Sequence, residues 1–144
     1  MAAHYESKHG HVNIPAEQLY MGFTDMRTFT QSLPEEYKGS VTADFDHIRA
    51  DVKGITLAVR VAERRPYELI RLEDEEAPFH FSLAAHFTPE SSRTTDFWLE
   101  VDADLNFMMK AMLGNRLKDG LDKIVDALVA ISEGRQPQYP SDLG

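Results

Sequence analysis

Residues 106–133 read NFMMKAMLGNRLKDGLDKIVDALVAISE (Asn106–Glu133), and the fold turns on how this stretch is read. Leu113, Leu117, Leu121, Ile124, Leu128 and Ile131 recur at spacings of four and three, which keeps them on one face of a 3.6-residue helix. Lys118, Asp119, Asp122, Lys123 and Asp126 fall mostly on the other side. The spacing predicts one long amphipathic helix, followed by Gly134 as the residue that ends it. An apolar stripe of that length is unstable in water and needs a partner surface, which the rest of the chain must supply.

Working outward, the preceding stretches change period. Phe97, Leu99, Val101, Ala103 and Leu105 alternate with Asp96, Trp98, Glu100, Asp102 and Asp104, a strand with one apolar face. Phe79, Phe81, Leu83, Ala85 and Phe87 form a second such face, separated from the first by the turn Pro89–Ser92. Tyr67 to Asp74 is a strand whose inner face the pattern leaves open. Leu57, Val59 and Val61 alternate with polar or small neighbours, and Val41 to Phe45 and Ile48 to Lys53 are shorter strands. HYESKHGHVNI (4–14) reads as a first strand bent near Gly10. Between it and the sheet, Pro15 suits the first position of a helix carrying Leu19 and Phe23. Asp25 suits the N-cap of a second short helix, Met26 to Leu33, stopped by Pro34. The expected class is α+β: a curved antiparallel sheet of about six to seven strands, joined by short links and wrapped around the final helix. Residues 1–134 form one domain, and 135–144 read as a flexible tail.

Composition removes several function classes. Fifteen Lys and Arg against twenty-four Asp and Glu give a net charge of −9, a field that repels phosphate backbones and makes nucleic acid an unsuitable partner. With no cysteine there is neither a disulfide framework nor thiolate chemistry, which fits a reducing, cytoplasmic location. The polar start MAAHYESKHGHVN lacks the apolar segment of a signal peptide, and no apolar run approaches the ~18 residues of a membrane span.

Three passages carry a family resemblance. IPAEQLYMGFTDMRTFTQSLP, with an aspartate at its joint and a proline after it, resembles the first helix pair of the helix-grip (SRPBCC) superfamily. VAERRPYELIRLE, with Glu63, Pro66 and Glu68-Leu69-Ile70, resembles its strand-turn-strand. LNFMMKAMLGNRLKDGLDKIVDAL, with Gly120-Leu121, resembles its closing helix. The superfamily groups START-like lipid-transfer domains, birch-pollen-allergen-like proteins and polyketide cyclases. The chain most resembles its short stand-alone bacterial members. The resemblance implies an apolar cavity between sheet and helix; the superfamily shares no catalytic residues, so none is carried over.

Polar candidates are few. His9 and His11 form H-x-H on a strand, so both rings share a face, but a zinc ion would need at least one further ligand. His80 and His86 lie opposite the Phe79/Phe81/Phe87 face and should look outward, as should Asp96, Glu100, Asp102 and Asp104. No glycine-rich phosphate loop and no nucleophile-elbow serine occurs. Phe107, Met108, Met109 and Met112 crowd the start of the long helix and cannot share one side of it. Core packing against Leu19, Phe23 and Phe29 is the expected role, with a ligand portal or a dimer or partner patch as the alternatives.

The expected function is non-covalent binding of a small apolar or amphipathic molecule, a lipid, polyketide or similar, between sheet and helix. Phe79, Phe81, Leu83, Phe97, Leu99 and Val101 would form the sheet wall, with Met109, Leu113, Leu117 and Leu121 from the helix. Inward polar groups drawn from Ser7, His9, His11 and Arg60 would give specificity. No cofactor, metal or catalytic residue is implied. The competing readings are a cyclase- or hydrolase-type enzyme using a pocket histidine as general base, and a protein-interaction module.

Overall fold

The computed structural model describes residues 2–31, 39–52 and 54–134. In chain order the elements are β1 (Ala2–Glu6), β2 (Gly10–Val12), α1 (Ala16–Thr24), α2 (Arg27–Gln31), β3 (Val41–Ala43), β4 (His47–Val52), β5 (Ile55–Arg65), β6 (Leu69–Glu76), β7 (Phe81–Pro89), β8 (Thr95–Asp104) and α3 (Phe107–Ser132). The strands form one eight-stranded sheet in the order β1-β8-β7-β6-β5-β4-β3, with β2 also paired to β8, and every pairing is antiparallel. The class is the α+β helix grip that the long helix and short strand links imply. Leu33 and Pro34, the side chain of Phe29 and the 135–144 tail lie outside the described residues.

Local chemistry sets the boundaries. Asn106 caps α3 by accepting a 2.8 Å hydrogen bond from the Met109 amide, and Gly134, at φ +80°, ends it. Pro15 has extended backbone and precedes the first helix instead of opening it, so α1 starts at Ala16. The first strand is two strands. Between them Ser7 takes over the pairing with β8: its amide donates to the Leu99 carbonyl and its Oγ accepts from the Leu99 amide, both at 2.8 Å. The break shifts the alternation by one residue. Ala3, Tyr5 and Ser7 face inward on one side of it, whereas Gly10 and Val12 do so on the other.

Helix α3 lies over β1, β2 and β8, the closed edge of the grip. Gly10 makes this approach possible: a Cβ there would sit 2.5 Å from Val125 Cγ1 and 2.8 Å from Val129 Cγ2. The buried face therefore centres on Gly114, Leu121 and Val125, with Leu117, Leu128 and Val129 packed beside them. Ile124 and Ile131, expected in the stripe, are instead 48% and 50% exposed. Ile124 is one residue, about 100° of helix, from Val125, and Ile131 is two residues, about 200°, from Val129, so both leave the line that Gly10 admits.

The deepest packing is aromatic. Phe97 is fully buried, its ring 5.4 Å from that of Phe87 and 5.6 Å from that of Phe23, and Tyr20 lies edge-on to Phe87 at 6.0 Å. Helix α1 thus closes one end of the concave face over β6 and β7, while α3 closes its β8 side.

The polar side of α3 is less passive than its sequence implies. Asp122 accepts a 2.7 Å hydrogen bond from the Lys8 amide and pairs with Lys118, while Asp126 pairs with the Lys8 ammonium. The Lys8 amide is the leading cause that holds the Asp122 carboxyl below its ordinary value. A carboxyl depressed on folding stabilises above its unfolded pKa of about 4 and loses that contribution as pH falls through the folded value. Asp122→Ala is expected to cost about 1 kcal/mol at pH 7, read from urea melts, and the difference should shrink below about pH 4. Equal stability of the two chains at pH 7 would show that the contact carries nothing.

Candidate functional site

Between the two closed edges the concave face is apolar and only half covered. Val61, Leu72, Phe81, Leu83 and Ala85 from the sheet, Phe79 from the bend before β7, and Met109 and Leu117 from the helix are each half-buried against the core. The strand registers explain their convergence: Leu72 pairs with Leu83, which pairs with Val101, and Phe81 pairs with Ala103. Ile70 and Leu72 fix the inner side of β6, which the sequence pattern leaves open.

The expected wall residues divide into two groups. Phe81, Leu83, Met109 and Leu117 are half-buried against the core, and Leu113 is half-buried on the same helix. Phe97, at 0% exposure, is packed into the solid end with Phe23 and Phe87, and Leu99, Val101 and Leu121 are buried in the core. Phe107, Met108 and Met112 project away from it, at 87%, 70% and 69% exposure.

The polar candidates are elsewhere. Ser7 is inward but its Oγ is occupied by the Leu99 amide and the Lys8 carbonyl. His9 and His11 lie on the outer face, hydrogen-bonded to Asp96 at 2.8 Å and Glu90 at 2.6 Å. Arg60 also faces outward, bonded to Glu73 at 2.8 Å. The inward arginine is Arg64. A register shift between Val61 and Glu63 reverses the facing of β5, and Arg64 pairs with buried Ile70. Its guanidinium donates to the Thr24 hydroxyl and carbonyl and the Phe45 carbonyl, pairs with Asp46, and lies 4.4 Å from the Phe45 ring centroid. It ties the end of α1 to β5. Reading the sequence by alternation misses it because nothing in the residue types marks the bulge.

A second missed group is Tyr5. Its hydroxyl is buried against α3 at Gly114, where a Cβ would lie 2.9 Å from it, and has no hydrogen-bond partner among the described residues.

The outer face carries the charge. All six histidines of the chain hydrogen-bond a carboxylate: His4 with Asp102, His9 with Asp96, His11 with Glu90, His47 with Asp44, His80 with Asp74 and His86 with Glu100. The hydrogen bonds that His4, His47 and His80 donate to Asp102, Asp44 and Asp74 are the leading causes that raise these histidines above the ordinary value. Such pairs favour the fold below the unfolded value of about 6.5 and cease to as pH rises through the folded ones. An open groove of about 500 Å³ crosses the ends of β6, β7 and β8, with Glu73, Asp74, His80 and Asp102 on it.

No family model and no curated protein matches the sequence. Solved structures do. Norcoclaurine synthase from Thalictrum flavum, in complex with dopamine and hydroxybenzaldehyde, superposes with a TM-score of 0.69 at 10% identity, over 96% of this chain and 90% of that one. The Zhui aromatase/cyclase from Streptomyces sp. R1128 gives 0.62 at 17% identity, over 92% and 94% of the two chains. An uncharacterised Bacillus thuringiensis protein gives 0.66 at 13% identity, over 91% and 99%. These likenesses show the helix-grip fold, and at such identities they show the fold alone.

Proposed function

We propose that the protein binds one small apolar or amphipathic molecule, a lipid, polyketide or similar compound, on the concave face between β5–β7 and the first half of α3. The observation that carries this reading is the set of half-buried apolar side chains, Phe79, Phe81, Leu83, Met109 and Leu117, each packed against the core beside a fully buried aromatic end. One chain thus holds both a solid core and a face left part-open. Burying that face against a ligand yields about 25 cal/mol per Å² of apolar area before the costs of association. The fold supports the reading, since a neighbour of the same architecture is a complex with two small aromatic molecules. No helix among the described residues is long and apolar enough to cross a membrane, and the cysteine-free composition fits the cytoplasm as the place of action.

A pocket histidine acting as general base has no candidate on this face, because each histidine is engaged on the outer one. The interaction-module reading keeps one observation of its own, the exposed Phe107, Met108 and Met112 at the start of α3.

Native mass spectrometry of the chain purified from its own cells tests the proposal. A retained small molecule, one per chain and released by organic solvent, is the expected result. A bare mass from gently handled protein, with no uptake from a lipid extract, would turn the reading toward the Phe107–Met112 surface.

A further inference from the structure

The outer sheet face holds a second, independent arrangement at its β1–β8 edge. We infer that His4, Glu6 and Glu100 form a site for one divalent transition-metal ion of the zinc type. One ligand atom from each of the three lies within 4.8 Å of the others. The register produces this: His4 and Glu6 are two apart on β1 and so share a face, and Glu6 stands directly opposite Glu100 on β8. Two carboxylates directly opposed across a strand pair repel each other. His4 is the group that attracts the Glu6 carboxylate, and its Nδ1 is already bonded to Asp102. A cation between the two carboxylates reverses the sign of the interaction.

The surrounding contacts orient the donors. His4 Nδ1 is 2.7 Å from Asp102 Oδ1, and an ionised carboxylate only accepts, so the Nδ1 proton points to Asp102 and the Nε2 lone pair is left for a metal. That nitrogen is 3.5 Å from Glu100 Oε2. The other Glu100 oxygen is held at 2.7 Å by His86 Nε2, and the His86 ring is stacked on Trp98 at 4.0 Å. An imidazole whose second nitrogen is bonded to a carboxylate is the usual support of a metal-bound histidine. Tetrahedral zinc with ligands at about 2.0–2.2 Å needs its donors roughly 3.4 Å apart. Exposed side chains close the remaining distance by rotation: His4 is 48% and Glu100 25% exposed. Three protein ligands leave the fourth position to water. The imidazole selects the zinc class over magnesium and calcium, which prefer oxygen alone. His9 and His11 are not part of the site: the ligand atoms that lie within 4.8 Å of one another come from His4, Glu6 and Glu100.

The test is calorimetric titration of tag-free, chelator-treated protein with zinc chloride, with melting temperature followed in parallel. Saturable binding of one zinc per chain is expected, with a melting temperature that rises with zinc concentration and no response to magnesium. His4→Ala and Glu6→Gln should each abolish it, Asp102→Asn should weaken it about 10–100-fold, and His11→Ala should leave it intact. Melts in chelator confirm that each variant is folded, and the two ligand variants check each other. Absence of saturable zinc binding by the unaltered chain overturns the site. So does binding that survives His4→Ala or that is lost in His11→Ala. Neither outcome bears on the concave face, so the two proposals stand or fall separately.

Discussion

Phe97→Ala is expected to lower the free energy of unfolding by about 3–5 kcal/mol. Its ring is 0% exposed and meets Phe23 on α1 and Phe87 on β7 while its own strand pairs with β2. Removing it opens a cavity between Phe23 of α1 and Phe87 of β7 that cannot collapse without moving α1. Phe81→Ala, the same change on the part-open face, should cost well under half as much, because a half-buried ring gives up less area and leaves no sealed void. Urea melts of the two variants measure the difference directly. Equal losses would mean that the concave face is as solid as the aromatic end.

Arg64→Met should cost roughly 2–3 kcal/mol. The substitution keeps most of the apolar stem but removes the guanidinium donors to the Thr24 and Phe45 carbonyls, the latter keeping the Met26 amide, and leaves Asp46 without its cation. The Arg64 side chain is 23% exposed, so these groups are only partly compensated by water. Arg60→Met makes the matched control. Arg60 is 46% exposed and pairs with Glu73 on the open outer face, where ion pairs contribute at most about 1 kcal/mol. The comparison by thermal or urea melts reads a single question, whether β5 faces the way its register shift requires. A larger loss at Arg60 than at Arg64 would refute that register.

What the sequence makes legible follows from where alternation runs unbroken. On β7 and β8 the inner residues Phe81, Leu83, Phe87, Phe97, Leu99 and Val101 can be named from spacing, since the two strands pair over their whole length without a shift. The long helix is equally plain, from its cap at Asn106 to Gly134. The polar map is less legible because it depends on two irregularities. The break at residues 7–9 puts Ser7 inside and His9 and His11 outside, although all three are odd-numbered. The shift between Val61 and Glu63 makes Arg64 the inward arginine in place of Arg60. A period-2 argument cannot see a change of phase that costs only one residue. The rotation of α3 that exposes Ile124 and Ile131 is hidden for a different reason: it is set by the absent side chain of Gly10, far away in sequence. The His4, Glu6 and Glu100 grouping likewise exists only once β1 is registered on β8.

The half-open apolar face is the claim on which the functional reading rests, and Ala85→Phe tests it most directly. Ala85 lies on that face between Ile70 and Leu99, half-buried itself. A space meant for a ligand accepts the added ring, whereas a packed core refuses it at a cost of about 1–3 kcal/mol or more. Titration with a fluorescent hydrophobic dye, alongside urea melts of the same samples, reads both quantities. The account predicts saturable one-to-one binding to the unaltered chain, at least about tenfold weaker binding by Ala85→Phe, and a stability change below about 1 kcal/mol. A variant destabilised by several kcal/mol, together with no saturable dye binding to either chain, would contradict it.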